Sequence, residues 1–419
     1  MVGRQQVPRV LVLDAHTTSA LAVVRSLGSR GLAVSVAGEE GRCNLAAYSR
    51  YARRSILCAQ AERQPLVFAD QLARELESGY DLLIPTTDTT VTLLRHDRER
   101  FERLVRIALP SNDSLDAALD KQVTANVAAE NGVSIPRTVS YATLRELEGA
   151  AQGLSYPCVV KPRFSREWNG AGPLTRGTVR YASSPAALID IYRTASQEPG
   201  SLLVQEFVSG TGTGVFVLAD RGRPLAVFVH RRLREADPTG GRASLAESIA
   251  PDDRVVAPAL RLISALGWHG VAMAEFKDPG KEHPPVLMEI NGRFWGSLPL
   301  AIAAGLDFPA MLVDLLLERP VVAPPAYEVG VRCRHLRGDL SYLAAALKGR
   351  PAAWKGDFPA RFAALTAIAP WPGRWRAYNF RLADPLPAVR EAMDFVSRET
   401  QSVATRRKRT RGTEVPHLP

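Results

Sequence analysis

The chain has 419 residues, 46% of them hydrophobic and 7% aromatic, enough apolar material for two or three cored domains. Its net charge of +10 is partly a terminal effect: Arg406, Arg407, Lys408, Arg409 and Arg411 stand against one acid, Glu414, in residues 401–419. No basic stripe with interleaved aromatics runs through the body, which argues against a nucleic-acid partner and makes the tail a solvated end. The longest apolar run, Leu298 to Leu306, is broken by Pro299 and Gly305, so no membrane span is expected. The N-terminus lacks a signal peptide's apolar core, and Cys43, Cys58, Cys158 and Cys333 form no C-x-x-C pair. A reducing cytoplasm is the expected compartment.

In chain order, Val10 to Asp14 reads as a buried strand, Thr17 to Leu27 has helical apolar spacing, and Leu32 to Ala37 is a second strand after Gly31. No G-x-G-x-x-G follows the first strand. Ala15-His16-Thr17-Thr18-Ser19 stands there instead, which removes the main support for a dinucleotide oxidoreductase. Asp81 to Pro85 is a later strand ending in Thr86, Thr87, Asp88, Thr89 and Thr90. Ligands approach an open parallel sheet at the carboxyl ends of its strands, so Thr87 and Asp88 are candidates to touch a substrate; a helix cap at Asp88 is the other reading.

Asp116 to Asn131 is expected to form one helix, stopped by Gly132 and carrying Lys121. Tyr156 to Pro162 is a short apolar strand with Lys161 near its end, an ammonium that must reach water or an anion. The glycine-rich loop Asn169-Gly170-Ala171-Gly172 leads through Gly177 to a strand at Thr178 to Tyr181. Glycines let backbone N–H groups approach phosphate oxygens, although a plain β-turn explains Gly-x-Gly alone. Leu202 to Val208 is a strand, and Val215–Leu218 pairs with Leu225–Val229. The next stretch, His230 to Ser244, gathers Arg231, Arg232, Arg234 and Arg242 around Gly240-Gly241. Cations beside accessible amides suit an acyl phosphate or a carboxylate, and a solvated basic loop is the alternative. His230 alone reads as structural.

Asp252 to Leu266 is helical and stops at Gly267. Val271 to Lys277 is a strand carrying Glu275, and Val286 to Ile290 is another, separated by the turn-forming run Asp278 to Pro284. Side chains alternate along a strand, so Glu289 and Asn291 share a face, Arg293 joins them if the strand continues, and a hairpin places Glu275 alongside. Two carboxylates and an amide are too few to cage a cation but suit Mg²⁺ held mainly through phosphates. A helix follows at Pro309 to Leu317, a proline-marked linker comes after it, and Val331 to Arg398 reads as a helical cap or partner surface.

Glu275, then Glu289-x-Asn291-x-Arg293 and Gly296-Ser297, resembles the metal and phosphate end of the ATP-grasp superfamily, nearest its carbamoyl-phosphate-synthase-like and carboxylate–amine ligase branch. The resemblance covers roughly residues 10 to 320. It implies an α/β chain: a Rossmann-like domain at 1–112, then a two-lobed α+β ATP-grasp domain at 113–322. The small lobe would span about 134–207 and the central lobe about 208–322. A mainly helical extension at 323–400 and a disordered basic tail at 401–419 complete the division. It further implies that Lys121 and Lys161 grip nucleotide phosphates, that Gly170 and Gly172 belong to a phosphate lid, and that adenine sits on the backbone of Glu206, Phe207 and Val208.

In the same resemblance Glu275, Glu289 and Asn291 hold one or two Mg²⁺ or Mn²⁺ ions. Arg293 and Arg234 are the catalytic candidates, and Arg232, Arg234, Gly240, Gly241 and Asp88 face the substrates. Thr211-Gly212-Thr213-Gly214 departs from the glutamate that commonly follows the hinge glycine, so the ribose contact is unassigned. The expected activity is ATP-dependent carboxylate–amine ligation through an acyl phosphate, releasing ADP and phosphate. Carboxy-phosphate or carbamoyl-phosphate formation and passive ATP binding are the alternatives. The expected partners are a small carboxylate and a small amine, with a homodimer left open and no membrane involved.

Overall fold

A computed structural model describes residues 7–195, 200–351, 354, 356–365 and 375–397; the basic tail lies outside these. The chain opens with β1 (Arg9–Val12), α1 (Thr18–Ser29), β2 (Ala33–Glu39), β3 (Arg54–Cys58), α2 (Pro65–Leu76), β4 (Leu82–Ile84), α3 (Asp88–His96), α4 (Arg98–Glu102) and β5 (Arg106–Ile107). The strands form one parallel sheet in the order β3-β2-β1-β4-β5. In place of a glycine fingerprint, Asp14 leaves β1 at φ 59°. Its carboxylate accepts from the Thr86 amide at 2.8 Å, Thr87 Oγ1 at 3.0 Å and Thr90 Oγ1 at 2.8 Å, contacts that hold this left-handed turn.

The helix expected at Asp116 to Asn131 is two helices, α5 (Asn112–Leu119) and α6 (Lys121–Glu130). The break falls at Asp120, whose extended backbone (φ −88°, ψ 105°) and side chain cap α6 through the amides of Gln122 and Val123. The same carboxylate binds Arg163. Next come β6 (Thr138–Ser140), α7 (Leu144–Ala150), β7 (Cys158–Pro162), β8 (Arg166–Glu167), β9 (Thr175–Arg176), β10 (Arg180–Ala182), α8 (Pro185–Ala195) and β11 (Leu202–Glu206). Strands β10-β7-β11-β6 make an antiparallel sheet, and β8–β9 is a separate hairpin.

The largest sheet is built from β12 (Thr211–Asp220), β13 (Arg223–Glu235), β14 (Ala243–Ser248), β15 (Gly270–Asp278) and β16 (Val286–Asn291), with α9 (Asp253–Ala265), α10 (Leu298–Ala303) and α11 (Phe308–Leu316) packed on it. Period-two alternation divides its faces. Val215, Val217 and Phe276 pack with α9, while Phe216, Phe228 and Met273 pack with Trp295, α10 and α1 of the N-terminal sheet. Burying a side chain such as Phe216 contributes about 1.5–3 kcal/mol, so this shared core fixes the first sheet against the third.

The C-terminal region is not a helical cap alone. Beyond β17 (Arg332–Arg334), α12 (Leu336–Lys348), α13 (Arg361–Ala364) and β18 (Trp375–Ala377), residues 386–397 are helical. β17 and β18 extend the large sheet to the order β16-β15-β12-β13-β14-β17-β18. The chain then returns to its beginning, where buried Arg25 of α1 pairs with Asp384 at 2.8 Å. All four cysteines are free.

Candidate active site

The hairpin expected at the acidic strands forms. β15 and β16 are antiparallel with Glu275 directly opposite Glu289 and Met273 opposite Asn291. Directly opposed residues share a face, so both carboxylates and the amide project toward the N-terminal sheet. Asn291 Nδ2 donates to Glu289 Oε1 at 2.9 Å, and Asn291 Oδ1 accepts from Arg293 Nη2 at 3.1 Å. Arg293 reaches across to the first sheet and binds Asp88 through both nitrogens, at 2.7 and 2.9 Å. Burial alone would raise the Asp88 pKa, but the adjacent guanidinium wins and holds it below the usual range. The α3 cap is Thr87, which accepts from the Thr90 amide. Asp88 therefore acts as the partner of Arg293 and not as the cap.

Two lysines converge on this face. Lys121 is the first residue of α6, a position that exists because Asp120 breaks the helix, and its Nζ donates to Ser165 Oγ at 2.9 Å. Lys161 on β7 is only 7% exposed, and its one described contact is a long 3.4 Å bond to the Met288 carbonyl. Desolvation lowers the Lys161 pKa to about 8, opposed by Glu289 and reinforced by Lys121. Desolvation lowers Lys121 too, again opposed chiefly by Glu289. Together Lys121, Lys161, Ser165, Gln205, Glu289 and Asn291 line a cleft between α6, β7 and β16.

Lys161 gives a signed prediction. Its folded pKa of about 8 lies below the ordinary 10.5. Between those pH values the unfolded chain binds more protons, so stability rises with pH through that window, and the full cost is present below it. Lys161→Met should therefore be at least as stable as wild type to urea at pH 7, lack the gain between pH 8 and 10.5, and bind nucleotide more weakly. A Lys161→Met protein that is clearly less stable at pH 7 would contradict this.

Arg232 joins the site from β13. It pairs with Glu275 at 2.5 Å and Glu235 at 3.3 Å, and donates to the Gly241 carbonyl at 2.9 Å. Its route passes over Gly212, where an added Cβ would lie 2.9 Å from Arg232 Cδ. The Thr-Gly-Thr-Gly stretch of β12 thus makes room for this guanidinium. Gly212→Val should cost about 1–3 kcal/mol of stability by overpacking, and an Arg232→Met background should relieve much of that cost. Equal penalties in both backgrounds would dismiss the contact.

Other candidates are placed differently. Arg234 follows a bulge in β13 and pairs at 2.8 Å with Asp339 of α12, which is fully buried. This ion pair ties Arg234 to α12. Gly170 sits over the His96 ring, which an added Cβ would approach to 3.2 Å, and Gly172 accepts from the Trp168 indole. Neither glycine is among the residues lining the cleft. Their hairpin is held to α3 by Arg166, which donates to Thr89 Oγ1 at 3.0 Å. Glu206 spends its amide on the Arg137 carbonyl at 3.0 Å, so that amide is not open to a ligand. Phe207 packs edge-on against Tyr181 and Trp354. Gly240 and Gly241 lie in the β13–β14 loop, tied to Arg232 through the Gly241 carbonyl. His230 is fully buried and neutral, its pKa lowered to about 3 by desolvation and then by Arg232.

Sequence reasoning missed Ser165, the Lys121 partner, and Gln205, a buried amide on the cleft wall. It also missed the Asp120–Arg163 pair; the Asp-Lys-Gln order, an N-cap residue before a polar first turn, was the available signal. Among the described residues no three His, Cys, Asp or Glu side chains converge to hold a metal unaided. Glu275, Glu289 and Asn291 fit a divalent ion whose other ligands are phosphate oxygens.

Comparison with known proteins bears on the fold and on part of the chain. A family described as "ATP-grasp in the biosynthetic pathway with Ter operon" matches residues 198–338. D-alanine–D-alanine ligase of Stutzerimonas stutzeri (strain A1501) is 26% identical over 220 residues, covering 48% of this chain and 64% of that protein. The corresponding ligase of Pseudomonas fluorescens (strain Pf0-1) is 24% identical, covering 48% and 62%. The match thus spans less than two thirds of these curated relatives. Among solved structures, a biotin carboxylase–β,γ-ATP complex from Campylobacter jejuni superposes with TM-score 0.60 at 18% identity, covering 78% of this chain and 74% of that one. L-amino acid ligase from Bacillus licheniformis gives TM-score 0.55 at 17% identity, covering 74% and 75%. Residues 198–338 thus match an ATP-grasp family, and the fold resembles that of these solved enzymes.

Proposed function

We propose that the protein is an ATP-dependent carboxylate–amine ligase. The observation that carries the reading is the paired-carboxylate hairpin facing two desolvated lysines, Lys121 and Lys161, whose charges only Glu289 and neighbouring acids offset. A nucleotide polyphosphate supplies the missing negative charge. The matched relatives carry the name of an enzyme joining an amino acid to an amino acid, which supports a carboxylate and an amine as substrates.

In this reading residues 1–112 carry the acceptor side, 113–322 bind nucleotide, and 323–400 complete the large sheet. Lys121 and Lys161 hold the phosphates, with Phe207 and Val208 at the adenine. Glu275, Glu289 and Asn291 would hold Mg²⁺, which when bound neutralises charge on the transferring phosphoryl. Arg232 fixes Glu275, Asp88 fixes Arg293, and Arg293 stabilises the phosphoryl oxygens. A substrate carboxylate oxygen attacks the γ-phosphorus, the bond to the bridging oxygen breaks, and ADP leaves. The amine nitrogen then attacks the acyl carbon and orthophosphate departs, its displaced proton passing to solvent. No side-chain nucleophile is required; catalysis rests on orientation and charge neutralisation.

Calorimetric titration with a non-hydrolysable ATP analogue tests the first step. Binding should need Mg²⁺ and fall with Lys161→Met. Equal affinity in excess EDTA and in that variant would sink the assignment.

A further inference from the structure

Beyond the cleft, three arginines that make no ion pair among the described residues stand on segments of the chain that contact one another. Arg176 lies on β9, directly opposite Arg166 of β8. Like charges in direct cross-strand register repel. Arg166 has relief from Thr89 and, at 3.8 Å, from Glu62, whereas Arg176 makes no ion pair among the described residues.

Arg242 lies in the β13–β14 loop and Arg337 in the first turn of α12. The two segments touch. The His335 amide donates to the Ser244 carbonyl at 2.7 Å, and an added Cβ on Gly338 would lie 2.9 Å from Ser244 Cβ. The β9–β10 side reaches the same loop through Tyr181, whose hydroxyl donates to the Thr239 carbonyl at 2.9 Å. Arg242 and Arg337 likewise make no ion pair among the described residues.

Three neighbouring acids are already committed to cations or an amide, and Asp237 of the same loop accepts from Thr239. Asp339 serves Arg234 and Arg334, Glu247 serves Arg231 and Arg332, and Glu391 serves His335 and Asn379. The Arg242 pKa is lowered, first by desolvation and then by Arg337 and Arg176, against one opposing influence from Glu391. The 13-residue helix α12 adds first-turn N–H groups, since its cap His335 makes no side-chain cap bond. This cluster is coupled to the chemistry by one short link: the carbonyl preceding Arg242 accepts from Arg232, which also binds Glu275.

We propose that Arg176, Arg242 and Arg337 form an oxyanion subsite for a second anionic group, carboxylate or phosphate, carried by the acid or amine substrate. The identity of that ligand as a substrate rests on the ligase reading. The anion binds between the β8–β9 hairpin, the β13–β14 loop and α12, and so draws the small sheet toward the large one.

The full chain, saturated with Mg²⁺ and a non-hydrolysable ATP analogue to fill the phosphate cleft, is titrated calorimetrically with inorganic phosphate and, separately, with propane-1,2,3-tricarboxylate. Wild type should bind at least one of them saturably, and R242Q and R337Q should each weaken it about tenfold or more. Both side chains keep solvent-exposed surface, although surrounding atoms crowd Arg242, so melting curves should show folded variants. The stronger of the two anions identifies phosphate or carboxylate as the source. No saturable binding of either anion by wild type, or equal binding by all three proteins, overturns the subsite. Nucleotide binding is measured first; its failure counts against the ligase reading, and the anion comparison stands on the protein without nucleotide.

Discussion

Glu289→Gln should lower ADP release by about 10²–10³-fold, with little change in the urea midpoint. Glu289 faces Glu275 across the hairpin, is bonded to Asn291, and is the largest acidic influence on both Lys121 and Lys161. Removing its charge strips a metal ligand and unbalances both phosphate-binding cations, and losing one preorganised electrostatic contact in an active site has that order of effect. The stability cost stays small because Lys161 already has a pKa of about 8. Neutralising it at pH 7 costs about 1.4 kcal/mol at most. Wild-type ADP release with a working substrate would remove Glu289 from the site.

Asp339→Ala should instead lower folding stability by about 3–5 kcal/mol. Asp339 is fully buried, with Arg234 at 2.8 Å on one oxygen and Arg334 at 2.6 Å on the other. Truncation leaves two guanidinium groups without this carboxylate between β13, β17 and α12. Arg234→Ala should follow the same pattern, lowering the unfolding midpoint more than it changes nucleotide affinity. If Asp339→Ala unfolds at the wild-type urea concentration, the network contributes nothing and Arg234 returns to the substrate side.

The central hairpin was legible because its signals are local. Alternating residues, a Pro-Gly turn and three polar side chains on one face specify β15, β16 and their register without reference to the rest of the chain. Lys161 was legible for a similar reason, as a cation at the end of an apolar strand. Elements that depend on distant partners were not. The apolar spacing of Asp116 to Asn131 continues across Asp120, and the break is completed by Arg163, more than forty residues away. Arg332 to Arg334 becomes a strand by adding to β14, and Trp375 to Ala377 by adding to Arg332–Arg334, edges that their own sequence does not announce. Arg234 looked like a substrate ligand because its neighbours are basic. It follows a bulge in β13 and pairs with Asp339, far along the sequence. Gly170 carried the composition of a phosphate loop, but its position against His96 is set by the whole hairpin.

The ligase reading stands or falls on whether a carboxylate is activated by phosphoryl transfer. Purified protein with Mg²⁺, ATP, pooled amino and carboxylic acids and hydroxylamine should produce a hydroxamate and ADP in equal amounts, in bicarbonate-free buffer, and Glu289→Gln should abolish both. Turnover that requires bicarbonate, or that releases AMP and pyrophosphate in place of ADP, would contradict it.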